Sequence, residues 1–210
     1  MIEIDDLRFA WKKQAQPVLK IASLQVDRGE RVFLRGPSGS GKSSLLNLLA
    51  GVALPQSGKL KVLGRDMNTL GSAQRDHFRA HHIGFIFQMF NLIPYLSVVE
   101  NVTLPCRFSS KRKHKGLAQA DSLEQEAIRL LDHLDMAHDD VLHKPVNELS
   151  VGQQQRVAAA RALIGAPELV IADEPTSALD ADRRTAFIDL LLRECDCAHA
   201  TLRLVRPETS

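Results

Sequence analysis

The feature that most constrains this chain is a glycine-rich loop between a short apolar strand and a helix. The strand signal lies at residues 31–35 (RVFLR), and the loop follows at residues 36–43 (GPSGSGKS). Glycines let the backbone turn its N–H groups inward, and at a helix start these groups form a nest for an anion. The spacing G-x-x-x-x-G-K-S in this setting is typical of a site for nucleotide phosphates. The sequence therefore predicts a phosphate-binding loop in a strand–loop–helix unit.

The members of this loop carry different chemistry. We expect the Lys42 ammonium to reach the β- and γ-phosphates of a nucleotide and to stabilise charge there. The Ser43 hydroxyl is expected to ligate Mg²⁺. The residues predicted to bind the nucleotide in this segment are Gly36, Pro37, Ser38, Gly39, Ser40, Gly41, Lys42, Ser43 and Ser44.

A second group of candidate residues follows a buried strand in the last third of the chain. Residues Leu169–Ala172 are apolar, and Asp173 and Glu174 come directly after them. An aspartate at a phosphate site can hold Mg²⁺ through water, and a neighbouring glutamate can orient or deprotonate the attacking water. An apolar strand ending in Asp-Glu is common and usually structural. Together with the glycine-rich loop, it indicates nucleotide hydrolysis with Glu174 as the general base.

Strand and helix signals alternate along the chain, which predicts an α/β fold with a mostly parallel, helix-covered sheet. The strand signals at residues 2–11 and 18–26 alternate apolar and polar residues, so we expect an N-terminal antiparallel sheet. From Gln88 to about Glu148 helical spacing replaces strand signals, which predicts an inserted α-helical region. The charge run at residues 109–115 (SSKRKHK) is expected to be a solvated loop within it, and a contact surface is the alternative interpretation. Further predicted elements are helices at 44–50, 72–82, 121–134, 152–163 and 182–194, and strands at 59–63, 83–87 and 201–205.

Composition excludes several classes of protein. Lys and Arg total 27 against 25 Asp and Glu, so the net charge of +2 gives no global electrostatic footprint of a nucleic-acid binder. Three cysteines make no disulfide framework. No apolar run approaches the roughly 18 residues of a membrane span, and the N-terminus lacks a signal-peptide pattern. We expect a soluble, cytoplasmic chain whose role at a membrane depends on a partner.

A third motif carries a resemblance to a known family. Residues 149–153 (LSVGQ) precede a helix and resemble the L-S-G-G-Q signature motif of the ABC ATPases, with Val151 in place of the first glycine. The resemblance implies that Ser150, Gly152 and Gln153 also bind nucleotide. Ser150 and the N–H groups at this helix start form a second phosphate cradle, and one γ-phosphate does not need two cradles from one chain. We therefore expect a head-to-tail C2 dimer in which each copy completes the other's ATP site.

The same resemblance implies roles for three more residues. Gln88 matches the family's Q-loop glutamine, which contacts Mg²⁺ or its water and takes part in catalysis. Asp180, in the segment at residues 177–180 (SALD), matches the D-loop that crosses the dimer interface beside the nucleotide. Trp11 lies where the family places an aromatic residue that stacks on adenine, and a half-buried sheet aromatic is the alternative interpretation.

The resemblance covers residues 2 to about 200 and implies a P-loop NTPase core in a single ABC ATPase domain, 1–210. A helical subdomain at about 88–165 is inserted in this RecA-like core. The implied function is the ATP-binding subunit of an ABC transporter, which hydrolyses MgATP and couples to integral membrane permease subunits through the helical subdomain. The stretch after Gln88 resembles members that release lipoproteins or export macrolides and peptides. We expect a peripheral location on the cytoplasmic face of the inner or plasma membrane, and no nucleic-acid partner.

The C-terminal end departs from the family pattern. Members carry an H-loop histidine after the strand that follows the D-loop helix, whereas here Thr201–Val205 runs into residues 206–210 (RPETS) and His199 precedes the strand. We interpret this end as truncated or frame-shifted. The alternative function is a nucleotide-gated clamp, or a relic, that binds ATP with little turnover. An ABC ATPase acting on DNA or ribosomes fits less well, because the sequence has one ATPase unit and no sustained heptads.

Overall fold

The computed structural model describes residues 1–12, 16–37, 39–136, 139–175, 181–197 and 201–205, which form two four-stranded sheets and a group of helices. The strands are β1 (Ile2–Phe9), β2 (Leu19–Val26), β3 (Arg31–Leu34), β4 (Ser57–Val62), β5 (Arg65–Asp66), β6 (Ile83–Ile86), β7 (Leu169–Ala172) and β8 (Thr201–Val205). The helices are α1 (Lys42–Leu49), α2 (Ser72–His82), α3 (Val98–Thr103), α4 (Pro105–Phe108), α5 (Ser110–Leu117), α6 (Leu123–His133), α7 (Asp139–Leu142), α8 (Val151–Leu163) and α9 (Ala181–Cys197). Short 3₁₀ turns lie at Met67–Thr69 and Val146–Glu148.

The antiparallel sheet has the strand order β2-β1-β4-β5, and its buried face shares a core with the leucines of α1. Along β1 the inward-facing residues change from even to odd positions, because the pairing with β4 shifts register after Asp5. At this bulge Asp6 has a φ of 40°. Gly58 on β4 lies so close that a Cβ there would sit 2.2 Å from the Asp6 carbonyl oxygen.

The second sheet is parallel, with the order β3-β8-β7-β6. Strand β7 is buried along its whole length, as expected for a parallel strand covered on both faces. Because the four strands run in one direction, the segments that follow them meet at one edge, which we call the carboxyl edge. The glycine-rich loop follows β3, Gln88 follows β6, and Asp173 follows β7. The predicted α/β fold, with a parallel sheet and an N-terminal antiparallel sheet, is confirmed.

The helices between β6 and β7 share a core with these two strands. Helices α3, α6 and α8 pack against one another, and α8 also packs on β6. Alanines 158–160 of α8 are fully buried, so this helix lies close against its neighbours. Helix α6 begins after Ser122, whose hydroxyl accepts the Gln125 N–H at 3.1 Å. Cys106 and Cys195 are free and buried.

The charge run at residues 109–115 is not a solvated loop, and the sequence prediction was wrong at this point. The run forms the start of α5, capped by the Ser109 hydroxyl, which accepts the Arg112 N–H at 3.1 Å. The Arg112 side chain is buried and donates to the carbonyl oxygens of Ile164 at 2.8 Å and Ala162 at 2.7 Å, at the end of α8. Unpaired carbonyls and the helix dipole both favour a cation there. The run was misjudged because these acceptors are remote in the sequence.

Candidate nucleotide site

The glycine-rich loop leaves the carboxyl end of β3 and leads into α1. Gly39 and Gly41 have φ angles of 80° and 91°, in the left-handed region that glycine adopts without strain. Between them, the Ser40 N–H donates to the Pro37 carbonyl oxygen at 3.2 Å and closes a tight turn. The first turn of α1 carries no acidic residue, so its N–H groups and dipole favour an anion. Ser38 lies outside the described residues.

Lys42 is the first residue of α1, and its side chain folds back over the loop. The Lys42 Nζ donates to the carbonyl oxygens of Gly36 and Pro37, the latter at 3.1 Å. Ser43 is exposed and its hydroxyl is accessible, whereas the Ser44 side chain is buried in α1. A positive charge, an exposed serine and helix N–H groups therefore lie together at the carboxyl edge.

Asp173 and Glu174 lie at the same edge, directly after β7, and both are partly buried. The Asp173 N–H donates to the Ile86 carbonyl oxygen at 2.9 Å, which ties the end of β7 to the end of β6. Glu174 has a φ of 45°, a left-handed conformation that costs a non-glycine residue about 1–2 kcal/mol. Strain of this kind persists where the surrounding structure enforces it, and it is common at active sites.

The turn that carries Gln88 leaves the carboxyl edge after β6. Gln88 and Met89 are exposed, and the Phe90 N–H donates to the Phe87 carbonyl oxygen at 3.0 Å to close the turn. Phe90 and Asn91 then adopt left-handed φ angles of 57° and 49°. Two consecutive non-glycine residues in this region require support from outside the turn.

That support comes from Arg161 in α8, a residue that sequence analysis did not single out. Its guanidinium donates to the carbonyl oxygens of Phe90 at 2.5 Å and Asn91 at 2.7 Å. Burial lowers the pKa of Arg161 to about 10, so the guanidinium keeps its charge at neutral pH. The only signal in the sequence is an arginine inside an alanine-rich run, because its acceptors lie far away along the chain.

Ser150 and Gln153 form the start of α8. The Ser150 hydroxyl accepts the Gln153 N–H at 3.3 Å, and the Gln153 side-chain oxygen accepts the Ser150 N–H at 2.9 Å, which makes a capping box. Val151, the first residue of the helix, is 51% exposed, and Gly152 is partly buried. This second helix start belongs to a different buried core from α1. The chain thus carries two helix starts suited to phosphate in two separate packing units.

Of the remaining predicted site residues, the structure describes Trp11 and does not describe Asp180. Trp11 is 62% exposed, and its ring lies edge-on to Phe9 with the ring centroids 5.1 Å apart, so most of its surface is accessible. Asp180 and the rest of the segment at residues 177–180 lie outside the described residues, as do His199 and residues 206–210. Across the described ranges, no three His, Cys, Asp or Glu side chains gather as a cluster of metal ligands.

A charged cluster lies at the opposite edge of the parallel sheet, where β6 and β7 begin. Glu168 accepts from the Lys111 ammonium at 2.5 Å and lies 3.2 Å from Nδ1 of His82, with Lys115 at 3.5 Å. Burial alone would raise the pKa of Glu168, but His82, Lys111 and Lys115 outweigh it and hold that pKa well below its usual range. The cluster fastens α5 to the sheet at the edge away from the nucleotide site.

Known proteins are similar in sequence to this chain over most of its length. The sequence profile of the family described as ABC transporter matches residues 19–177. The lipoprotein-releasing system ATP-binding protein LolD of Paramagnetospirillum magneticum is 39% identical over 194 residues, which are 91% of this chain and 82% of LolD. The macrolide export ATP-binding/permease protein MacB of Pasteurella multocida is 38% identical over 193 residues, which are 91% of this chain but 28% of MacB.

A solved structure shares the fold. The ATP-binding cassette MJ0796 of Methanocaldococcus jannaschii, in a dimeric post-hydrolysis state bound to ADP and Pi, matches with a TM-score of 0.79 and 32% identity. The match covers 98% of this chain and 87% of that one. Within the described part of the chain, no helix combines the length and the apolar character needed to cross a bilayer.

Proposed function

The chain belongs to the ABC transporter family and is the ATP-binding subunit of a transporter of this class, and we propose that it hydrolyses MgATP at two sites shared between two copies. The observation that carries this proposal is the meeting of three segments at one sheet edge. Strands β3, β6 and β7 deliver the Lys42 loop, Gln88, and the pair Asp173 and Glu174 to that edge. The carboxyl edge therefore carries groups that can bind phosphate, hold its metal ion and activate water.

The nucleotide's phosphates bind in the nest formed by the loop and the first turn of α1. Lys42 exchanges its two neutral carbonyl acceptors for phosphate oxygens, and charge-assisted hydrogen bonds of this kind are the stronger ones. Ser44 contributes its backbone N–H at the helix start. Trp11 stacks on the adenine, for which its accessible ring is suited.

The oxygen atoms at the carboxyl edge suit Mg²⁺, which enters with ATP as part of the substrate. Mg²⁺ prefers oxygen ligands and retains several waters. The Ser43 hydroxyl, the Asp173 carboxylate and the Gln88 amide oxygen are such ligands, direct or through water, from three segments of one edge. The proposed metal site is therefore built from α1 and the ends of β6 and β7.

Hydrolysis in this site is a transfer of the γ-phosphoryl group to water. Glu174 accepts the proton of the attacking water, whose oxygen forms the new bond to phosphorus as the bond to the β–γ bridging oxygen breaks. ADP and phosphate are the products. Lys42 stabilises the charge that develops on the phosphoryl oxygens.

The second half of each site comes from the other copy. Ser150, Gly152 and Gln153 at the start of α8 bind the nucleotide held by the partner's glycine-rich loop, and we assign Asp180 of the D-loop segment to the same interface. Two helix starts in two separate cores of one chain support this arrangement, since a head-to-tail pair brings one of each kind to each nucleotide. The dimeric state of MJ0796 with ADP and Pi also supports it.

The transport role requires membrane partners. Met89 and Tyr95, close to the Gln88 turn, are each 81% exposed, so both side chains are available for contact with a partner. They belong to the stretch at about 88–165, which we assign as a helical subdomain inserted in the RecA-like core and coupled to separate permease subunits. The likeness to LolD and MacB supports export or lipoprotein extrusion. The proposed location is peripheral, on the cytoplasmic face of the membrane.

The shared site is tested by pairing two inactive variants. Lys42→Met removes the ammonium of one loop, and Ser150→Arg blocks the second cradle, so each variant alone should lose most phosphate release. A mixed dimer contains one site with both parts intact. Because random pairing makes about half of the dimers mixed, the mixture should recover about a quarter of wild-type turnover. Lys113→Met, at an exposed lysine of α5, is the matched control and keeps wild-type turnover. Mixed dimers that form but stay inactive would contradict the proposal.

A further inference from the structure

We propose that Arg161 is a positioning residue that holds the Gln88 turn in its working shape and links that turn to the helix carrying Ser150. This inference rests on the proposed function, because it gives Arg161 an effect on hydrolysis through Gln88. Among the described residues, the hydrogen bonds of the Arg161 guanidinium do not reach the glycine-rich loop or Asp173. Those contacts are with the backbone that follows Gln88.

The geometry matches what an arginine can do and a lysine cannot. Two separate guanidinium nitrogens donate to two successive carbonyl oxygens, those of Phe90 and Asn91. A planar fork of donors fixes both peptide groups at once, whereas an ammonium acts as a single point charge. The Arg161 side chain is buried, which strengthens these hydrogen bonds relative to hydrogen bonds at the surface.

The held peptide groups lie in an unfavourable backbone conformation. Both Phe90 and Asn91 have left-handed φ angles, and without the guanidinium this segment would relax toward ordinary backbone. Gln88 lies two residues before Phe90, and on its other side Ile86 is fixed by its hydrogen bond from Asp173. The backbone is thus held on both sides of Gln88, at Ile86 by the end of the sheet and at Phe90 by Arg161.

The far end of the same loop is also anchored. Asn101 in α3 is fully buried, and its side-chain oxygen accepts the Ile93 N–H at 2.8 Å. Its amide nitrogen donates to the carbonyl oxygens of Ile93 at 3.1 Å and Leu96 at 3.2 Å. Because α3 packs on α8, the two anchors belong to one packed unit. The loop after Gln88 therefore moves with these helices.

Helix α8 connects this anchor to the second phosphate cradle. Arg161 lies near the end of the helix and Ser150 caps its start, and the alanines between them are buried. A packed helix moves as a rigid element. A displacement of the Gln88 turn at one nucleotide is therefore transmitted to Ser150, which faces the nucleotide of the other copy.

The experiment compares Arg161→Met with Arg156→Met in the full chain. Arg156 lies on the same helix, but its guanidinium donates to the Leu134 carbonyl oxygen at 2.8 Å, at the end of α6. We expect Arg161→Met to lower kcat roughly 10- to 100-fold, as for a displaced catalytic group, with the ATP Kd changed less than about twofold. Arg156→Met keeps wild-type kcat. Equal losses of kcat in both variants, or a wild-type kcat in Arg161→Met, would overturn the inference.

A double-mutant cycle separates positioning from general damage. If Arg161 acts through Gln88, adding Gln88→Ala to Arg161→Met lowers kcat little further, because the interaction is already lost. If the two losses multiply, Arg161 acts independently of Gln88 and the inference is wrong. Arg161→Lys retains the charge with one donor centre and is expected to have an intermediate kcat. This variant keeps the inference testable if Arg161→Met folds poorly.

Amide hydrogen exchange provides a readout that does not need turnover. Arg161→Met is expected to speed exchange at residues 88–93 at least about tenfold, while Arg156→Met leaves that segment unchanged. A wild-type chain that fails to release phosphate would overturn the proposed hydrolysis, and the exchange result would still decide the anchor. Unchanged exchange at residues 88–93 in Arg161→Met and Arg161→Lys would overturn the anchor itself.

Discussion

The backbone N–H of Asp173, the first residue after β7, donates at 2.9 Å to the carbonyl oxygen of Ile86, the last residue of β6. This hydrogen bond extends the pairing of the two strands to the point where the polypeptide leaves the sheet after β6 and after β7. The segment containing Asp173 and Glu174 and the turn containing Gln88 therefore start from a common fixed point. The sheet thus fixes the point from which the groups proposed to hold Mg²⁺ and to activate water leave β6 and β7.

The Lys42 ammonium is expected to contribute to nucleotide affinity. Lys42→Met removes a charged donor to phosphate, a loss of about 1.5–3 kcal/mol or roughly 10- to 150-fold in Kd for ATP. Equilibrium titration with a fluorescent ATP analogue measures this. Lys113→Met should bind with wild-type affinity. If Lys42→Met bound ATP with wild-type affinity, Lys42 would not be part of the phosphate site.

The bulge in β1 makes Gly58 a position at which only glycine fits. Gly58 and Gly64 have similar left-handed φ angles of 86° and 75°, but a Cβ at Gly64 meets nothing within 4 Å, whereas at Gly58 it meets backbone. Gly64→Ala should lower the free energy of unfolding by about 1–2 kcal/mol through backbone strain alone. Gly58→Ala should lower it by about 3–5 kcal/mol. Urea unfolding of both variants measures the difference, and equal losses would contradict the close approach at the bulge.

Arg112 is expected to stabilise the junction between α5 and α8. Arg112→Met leaves the carbonyl oxygens of Ile164 and Ala162 buried without their donor, which should lower the free energy of unfolding by about 2–4 kcal/mol. Lys113→Met, at the exposed next residue, should change it by less than about 0.5 kcal/mol. Chemical denaturation of the two variants tests this. A small effect at Arg112 would contradict the stabilising role of its buried hydrogen bonds.

The Glu168 cluster predicts a particular pH dependence of stability. Because the pKa of Glu168 in the folded chain lies below its ordinary value of 4.5, its contribution is fully present above that value and declines as pH falls further. Glu168→Gln should therefore lower the free energy of unfolding by about 1–3 kcal/mol at pH 7, and the gap to wild type should narrow below about pH 4.5. Unfolding curves at neutral, mildly acidic and strongly acidic pH measure the gap. Glu3→Gln, at an exposed carboxylate, should show little gap, and a gap for Glu168→Gln that widens in acid would contradict the cluster.

Sequence patterns predicted what is local. The glycine-rich loop, the strand before Asp173 and the helix that follows Ser150 are each defined by neighbours within a few residues, so composition and spacing were sufficient. The hydrogen bonds of Arg161 and the burial of Arg112 could not be predicted, because both depend on carbonyl oxygens of remote segments. The register shift at Asp6 was hidden for the same reason, since it arises from pairing with β4.

Steady-state phosphate release from the purified chain with MgATP tests the proposed hydrolysis directly. We expect clear turnover in the wild type, and a decrease of about 100-fold or more in Glu174→Gln, since the general base is lost while the charge site at Lys42 remains. The matched substitution Glu3→Gln, in β1, should keep wild-type turnover. Wild-type release no higher than that of Glu174→Gln, with ATP still bound, would contradict hydrolysis and identify the chain as a nucleotide-gated clamp.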